Sequence, residues 1–238
     1  MLRSLLAASS MALMMMTIPM AASAEGPTLG VTAGLNSNYV WRGVTLSDNE
    51  PQLYVEAVVE VGNAYGGTYI TSTDFGDNDP ASLEIDLFGG YVFGVTERLA
   101  LDVGGIYYGY PDSAPEDAAN GAEYDWTEVY VKPSYIVSDS VSLNGEVAYT
   151  PSGFLGSGEQ VHLAAGFEWD TLDVGFIDLG LSGTVGQQQF KDISGAGYEY
   201  VQVSLTGGIK PLGLDTHLTF STADGFEDQV VVGASFSF

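Results

Sequence analysis

The chain has 238 residues, and its 6 Lys+Arg against 31 Asp+Glu give a formal net charge of −25. So acidic a surface excludes nucleic acid as a partner, because binding phosphates needs Lys and Arg to release their counterions. Disorder is excluded by the plentiful apolar and aromatic residues, at 45% and 12%. The lack of cysteine rules out disulfides, thiolate metal sites and a Cys nucleophile.

In chain order, the first feature is an export signal. Arg3 supplies a positive start, an apolar run extends from Leu5 to Ile18, and Ala22-Ser23-Ala24 offers a small-residue cleavage site before Glu25. That run is short of the ~20 apolar residues a spanning helix needs. Residues 1–24 are expected to be removed, leaving one domain over 25–238 with a net charge of −26 once Arg3 is lost. No later apolar run reaches spanning length, so any membrane insertion must use strands.

Beyond residue 27 the sequence alternates with a period of two. Leu83, Ile85, Leu87, Tyr91 and Phe93 share one face, while Glu84, Asp86 and Phe88 take the other. Val141, Leu143, Val147 and Tyr149 likewise alternate with Ser142, Asn144 and Glu146. A helix would scatter these residues, whereas a strand sorts them into an apolar and a polar face. About twelve such segments occur, an even number as single-chain bacterial barrels require. They span 28–39, 52–61, 67–75, 82–93, 98–109, 124–137, 141–150, 159–170, 177–188, 197–209, 212–222 and 227–238. Pro133 breaks a local rule inside the sixth, since it cannot donate to a ladder, and predicts a bulge or a displaced boundary there.

The connections alternate in length. Gly62–Gly66, Gly94–Glu97, Ser138–Ser140 and Lys210–Pro211 are tight, whereas Val40–Pro51, Tyr110–Glu123, Pro151–Gly158 and Gln189–Ala196 are longer. Short periplasmic turns and long extracellular loops give that pattern and place both termini in the periplasm. The last segment carries Val230, Val232, Ala234, Phe236 and Phe238 on one face. An apolar strand ending in an aromatic resembles the signal read by the outer-membrane barrel assembly machinery, an expected partner. The predicted fold is therefore all-β: a closed antiparallel transmembrane β-barrel in the outer membrane of a Gram-negative bacterium, with lipid as a second partner. A soluble secreted sandwich would alternate equally well with its faces reversed, and export, strand length and the final aromatic favour the barrel.

In that barrel Tyr39, Trp41, Tyr91, Phe93, Tyr107, Tyr149, Trp169 and Phe238 are expected at the lipid interfaces. Charges facing hydrocarbon are costly, so the acids turn inward. The candidate lining is Glu56, Glu84, Asp86, Asp102, Glu128, Glu146 and Asp178, with Lys132 as an inward cation. Arg42 at the outer mouth reads as a constriction residue or as a salt bridge pinning its loop. Carboxylates without partners need water or cations, so the lumen is expected to be wet and to favour cations. A plugged barrel with a small hydrated cavity is the alternative.

Other chemistry is weakly represented. His162 and His217 share the inward face, and no Ser-His pair has convincing spacing at an outer rim, so no catalytic residue is assigned. Asp74-Phe75-Gly76-Asp77-Asn78-Asp79 concentrates oxygen ligands but lacks a distal bidentate Glu, and reads as a solvated turn. The similar acidic loop Asp112–Asp117 could fold over the mouth. With no phosphate loop or zinc spacing, no cofactor or metal is expected.

Asn38-Tyr39-Val40-Trp41-Arg42-Gly43-Val44-Thr45-Leu46-Ser47-Asp48-Asn49, followed by Pro51, resembles the opening motif of the proteobacterial TorF porin family. Glu84–Tyr91, Tyr107–Pro111 and Tyr124–Tyr130 resemble further blocks of the same family in the same order. The resemblance implies an outer-membrane barrel with a pore role. The expected function is passive diffusion of small hydrophilic solutes or cations. A lipid-active enzyme and a non-conducting structural or adhesive barrel are the alternatives.

Overall fold

The computed structural model describes residues 26–76, 79–113, 123–192 and 196–238. The expected export segment and parts of both acidic loops, at 77–78 and 114–122, lie outside the described residues.

Twelve strands form one closed antiparallel sheet. They are β1 (Thr28–Asn36), β4 (Gln52–Val61), β5 (Ala64–Ser72), β6 (Leu83–Gly94), β7 (Leu99–Gly109), β8 (Trp126–Ser138), β9 (Val141–Gly153), β10 (Gly158–Asp173), β11 (Ile177–Phe190), β12 (Gly197–Ile209), β13 (Leu214–Ala223) and β14 (Gln229–Ser237). Two short strands, β2 (Val40–Trp41) and β3 (Val44–Thr45), pair only with each other. β1 pairs with β14, from Thr32 opposite Ser237 to Asn36 opposite Gly233. Backbone hydrogen bonds between Val31 and Phe238 extend that seam. Closure leaves no free edge, which is how a sheet satisfies its backbone without water.

The alternation sorts side chains as anticipated. On β4, Leu53, Val55 and Val59 are exposed while Gln52, Tyr54 and Glu56 are buried. On β13, Leu218 and Phe220 face out while His217, Thr219 and Ser221 face in. The apolar face is thus outside and the polar face inside, the reverse of a soluble sandwich. Tyr91, Phe93, Trp169 and Phe176 are exposed at the end of the barrel closed by turns 62–63, 95–98, 139–140 and 174–176. The opposite end carries the long connections 37–51, 73–82 and 110–125.

Three local expectations need correction. β1 stops at Asn36 rather than residue 39, because the chain then turns into the barrel. β5 begins at Ala64 rather than residue 67, because Gly62 (φ 62°) and Asn63 alone make the turn. Pro133 causes neither a bulge nor a boundary. It pairs with Leu101 of β7, while on the β9 side the pairing lapses between Val131 and Ser134 without a change of register. Opposite it stands Gly145, where a Cβ would come within 3.1 Å of the proline ring. The register shift lies lower, between Ile136 and Ser138.

Inside, glycines let rings lie flat on the wall. Tyr65, Gly90, Gly104 and Tyr130 are successive cross-strand partners on β5 to β8. The two rings fold over the two glycines, and their hydroxyls meet at 2.6 Å. A Cβ at either glycine would come within 2.5 Å of a tyrosine oxygen. At the long-loop end Tyr108, Tyr110, Tyr124 and Trp126 form an aromatic core, with Tyr108 and Trp126 stacked at 3.8 Å.

Candidate functional site in the barrel interior

The connection from β1 to β4 does not stay outside. Val40 pairs with Thr45 and Trp41 with Val44, so Arg42 and Gly43 form a two-residue turn. Their φ values of 47° and 88° are the positive pair that a tight hairpin needs. Glycine occupies the second position, where a Cβ would lie 2.7 Å from Tyr200 and 2.8 Å from Ala223 on the far wall. Asn38 closes the base. It accepts hydrogen bonds from the Thr45 and Ser47 hydroxyls and donates to Gln229 at 2.8 Å.

This hairpin overturns the expected position of two aromatics. Tyr39 and Trp41 were anticipated at the lipid interface, but Tyr39 is 1% exposed and its hydroxyl donates to Glu84 at 2.7 Å. Trp41 packs edge-on against Tyr108 and Trp126 inside the barrel. The physical reason is the left turn at Arg42: once the strand has ended, alternation no longer dictates which side a residue faces. Burial, and then Glu84, pushes the Tyr39 hydroxyl well up, which keeps it a donor.

Arg42 lies inside the mouth rather than on its rim, 4% exposed. Its guanidinium takes both oxygens of Glu128, at 2.9 and 2.8 Å, and one of Glu146, at 2.9 Å. It also donates to Gln188 and stacks 4.3 Å from the Trp41 ring. A bidentate fork with a second carboxylate is the arrangement only arginine provides. Burial alone would lower its hold on the proton, but Glu128 and Glu146 more than reverse this and raise it well above its ordinary range. Around this centre His162 donates from Nδ1 to Glu146 at 3.0 Å, because the carboxylate can only accept. Its Nε2 meets the Tyr200 hydroxyl at 2.9 Å, and Lys132 stands 3.9 Å from Glu146. The hairpin is thus tied to β8, β9 and β11, so Arg42 does pin its loop.

The other predicted acids do not share one environment. Glu84 is buried and accepts from the Tyr39 and Tyr110 hydroxyls. Asp86, two residues on, is fully buried, and neither of its oxygens has a hydrogen bond among the described residues. Asp102 accepts from the Tyr65 hydroxyl at 2.8 Å and is the cross-strand partner of Lys132. Asp178 stands apart at the short-turn end, 3.5 Å from Lys210. Glu56 lines a cavity of about 60 Å³ beside Asp102, Glu128, Lys132, Glu146 and Arg42. Its carboxylate has no hydrogen bond or ion pair among the described residues.

Sequence reading missed the tyrosines. Tyr65, Tyr69, Tyr108 and Tyr130 all line that cavity. The signal was available, because Tyr108 and Tyr130 alternate with the outward Tyr107, Val129 and Val131. Across the barrel, Gln202, His217 and Ser221 present buried polar atoms that have no partner among the described residues. Of the acidic loops, Asp74 accepts from the Gly76 backbone and Asp79 from Ala81 and Tyr124, so both acids serve local turns.

Comparison places this architecture among known ones. Residues 20–227 match the family described as "Bacterial protein of unknown function (Gcw_chp)". No curated protein matches the chain in sequence. Many solved structures share the fold, among them three at 8–12% identity. The KdgM porin, solved in complex with disordered oligogalacturonate, has a TM-score of 0.58 at 9% identity, over 88% of this chain and 98% of its own. The NanC porin gives 0.52 at 8% identity with the same coverage. The COG4313 outer membrane channel from Pseudomonas putida F1 gives 0.52 at 12% identity, over 93% of this chain and 98% of its own.

Proposed function

The chain belongs to the Gcw_chp family of bacterial proteins, and from that premise we propose that it is an outer-membrane channel passing small hydrophilic solutes, cations in preference to anions. One observation carries the proposal: a closed twelve-stranded barrel with its apolar face outward and its charges inward. Such a surface is stable only against hydrocarbon, and such an interior only against water or counter-charge. The motif resemblance to the TorF porins supports the same reading.

The preference for cations rests on the interior's charges. Arg42 and Lys132 are its cations away from the rims, and Glu128, Glu146 and Asp102 already surround them. Glu56, Glu168, Asp170, Asp178 and Asp215 add negative charge along the remaining wall, with Lys210 near only one of them. An anionic saccharide of the kind held by KdgM would meet like charge here, whereas a cation would not. In this proposal Glu56, Asp102 and Asp178 line the path, and the Arg42 hairpin is its constriction.

The hairpin also favours a second reading, in which the barrel rests closed and conducts only when the hairpin moves. Planar-bilayer recording of the refolded protein tests both. Steady, cation-selective conductance supports the channel, and rare openings that become frequent on loss of Arg42 support the resting plug. No conductance in either form would overturn the proposal.

A further inference from the structure

The cavity under the hairpin is chemically lopsided. Its charged groups are mostly spent on one another or on hydroxyls: Arg42 on Glu128 and Glu146, Lys132 on Glu146, Asp102 on Tyr65. Glu56 is the exception. It is 5% exposed, lines the cavity, and has no partner among the described residues. A buried carboxylate facing a cavity with nothing to answer it marks a place for a cation.

The walls decide which cation. A hard metal ion wants six or more oxygen ligands, and no group of three or more acidic or histidine residues among those described could hold one. Here the rest of the wall, Ile106 apart, is aromatic, from Trp41, Tyr65, Tyr69, Phe88, Tyr108 and Tyr130. Aromatic faces with one carboxylate are the chemistry that holds an organic ammonium, by cation–π attraction plus a single charge-assisted hydrogen bond. An anion is disfavoured because both cations of the wall are already engaged. About 60 Å³ has room for an alkylammonium of a few heavy atoms.

We propose that this cavity is a binding site for a small primary or singly methylated ammonium group, held on Glu56 among the tyrosine and tryptophan rings. The proposal deepens the channel reading by naming a solute class, and its test needs no conductance. The refolded full chain in detergent micelles is titrated with methylammonium chloride at constant ionic strength, followed by calorimetry and by Trp41 fluorescence. Saturable binding is expected, unaffected by exchange of sodium for potassium and weaker with tetramethylammonium, which has no N–H to donate to Glu56. E56Q is expected to weaken binding about ten-fold or more, the loss of a desolvated charge partner. E56D, whose folding is checked by heat-modifiable gel mobility, should keep part of it. Equal binding of neutral acetamide, full competition by potassium, or an unchanged affinity in folded E56Q would each overturn the proposal. Binding without conductance would uphold this site and sink the channel, and conductance without binding would do the reverse.

Discussion

The two halves of the barrel interior solve the same problem in opposite ways. Toward the long loops, much of the charge is answered within the protein: a hairpin carries Arg42 to Glu128 and Glu146, tyrosine hydroxyls answer Glu84, and aromatic rings fill what is left. Toward the short turns, Asp170, Asp178 and Asp215 stay partly exposed, with Lys210 near Asp178 and small residues such as Gly180, Ser182 and Ser204 between them. The lesson is that a strongly acidic barrel need not be uniformly wet. Where the chain supplies a cation the interior packs, and where it does not, water must do the work.

Breaking the packed half should have the largest effect. Asn36 and Gln52 are already cross-strand partners, so a short turn can replace residues 38–50 with the β1–β4 pairing kept. Single-channel conductance is expected to rise several-fold, measured in planar bilayers, and an unchanged value would move the constriction elsewhere. Arg42→Ala comes next. It strands two buried carboxylates, so urea unfolding in micelles should show a loss of about 3–5 kcal/mol, as for a broken buried ion pair. Arg42→Lys should recover only part, because an ammonium cannot make the bidentate fork.

Gly104→Ala probes the boundary between the halves. The new Cβ would meet the Tyr130 hydroxyl and the Gly89 carbonyl, at 2.5 and 2.6 Å. Overpacking of this kind costs about 1–3 kcal/mol, readable in the same unfolding curves. Least disruptive should be Asp178→Asn with Asp215→Asn in the solvated half. Stability should stay within about 0.5 kcal/mol, as for surface substitutions. Reversal potentials in a salt gradient should shift toward zero, and a shift absent in this pair would remove the short-turn acids from the selectivity proposal.

How legible these halves were in the sequence follows from what each depends on. The strands, their faces and their closing order follow from period-two alternation and turn length, which are local, so Leu53, Glu56 and Phe220 point where the pattern said. The position of the short-turn acids was legible for the same reason, since Asp178 and Asp215 sit on regular strands. The packed half was not. Tyr39 and Trp41 lie in a connection, where alternation carries no information. Arg42 meets Glu128 and Glu146 across 86 and 104 residues of chain, and nothing local announces such a pairing. The flat tyrosines needed four strands in register before the role of Gly90 and Gly104 could be seen.

The hairpin belongs to the first connection of the barrel, yet its anchors are on strands that follow much later. Asn38 reaches Gln229 over 191 residues, and Gly43 seats against Tyr200 and Ala223. During assembly, then, the seat of the earliest loop is complete only when the last strands curl round to meet β1. Contacts this distant in sequence form slowly, because the entropy of closing the chain comes due before the reward. Seating of Asn38 and Gly43 therefore reports completion: it marks the moment at which the cylinder becomes whole.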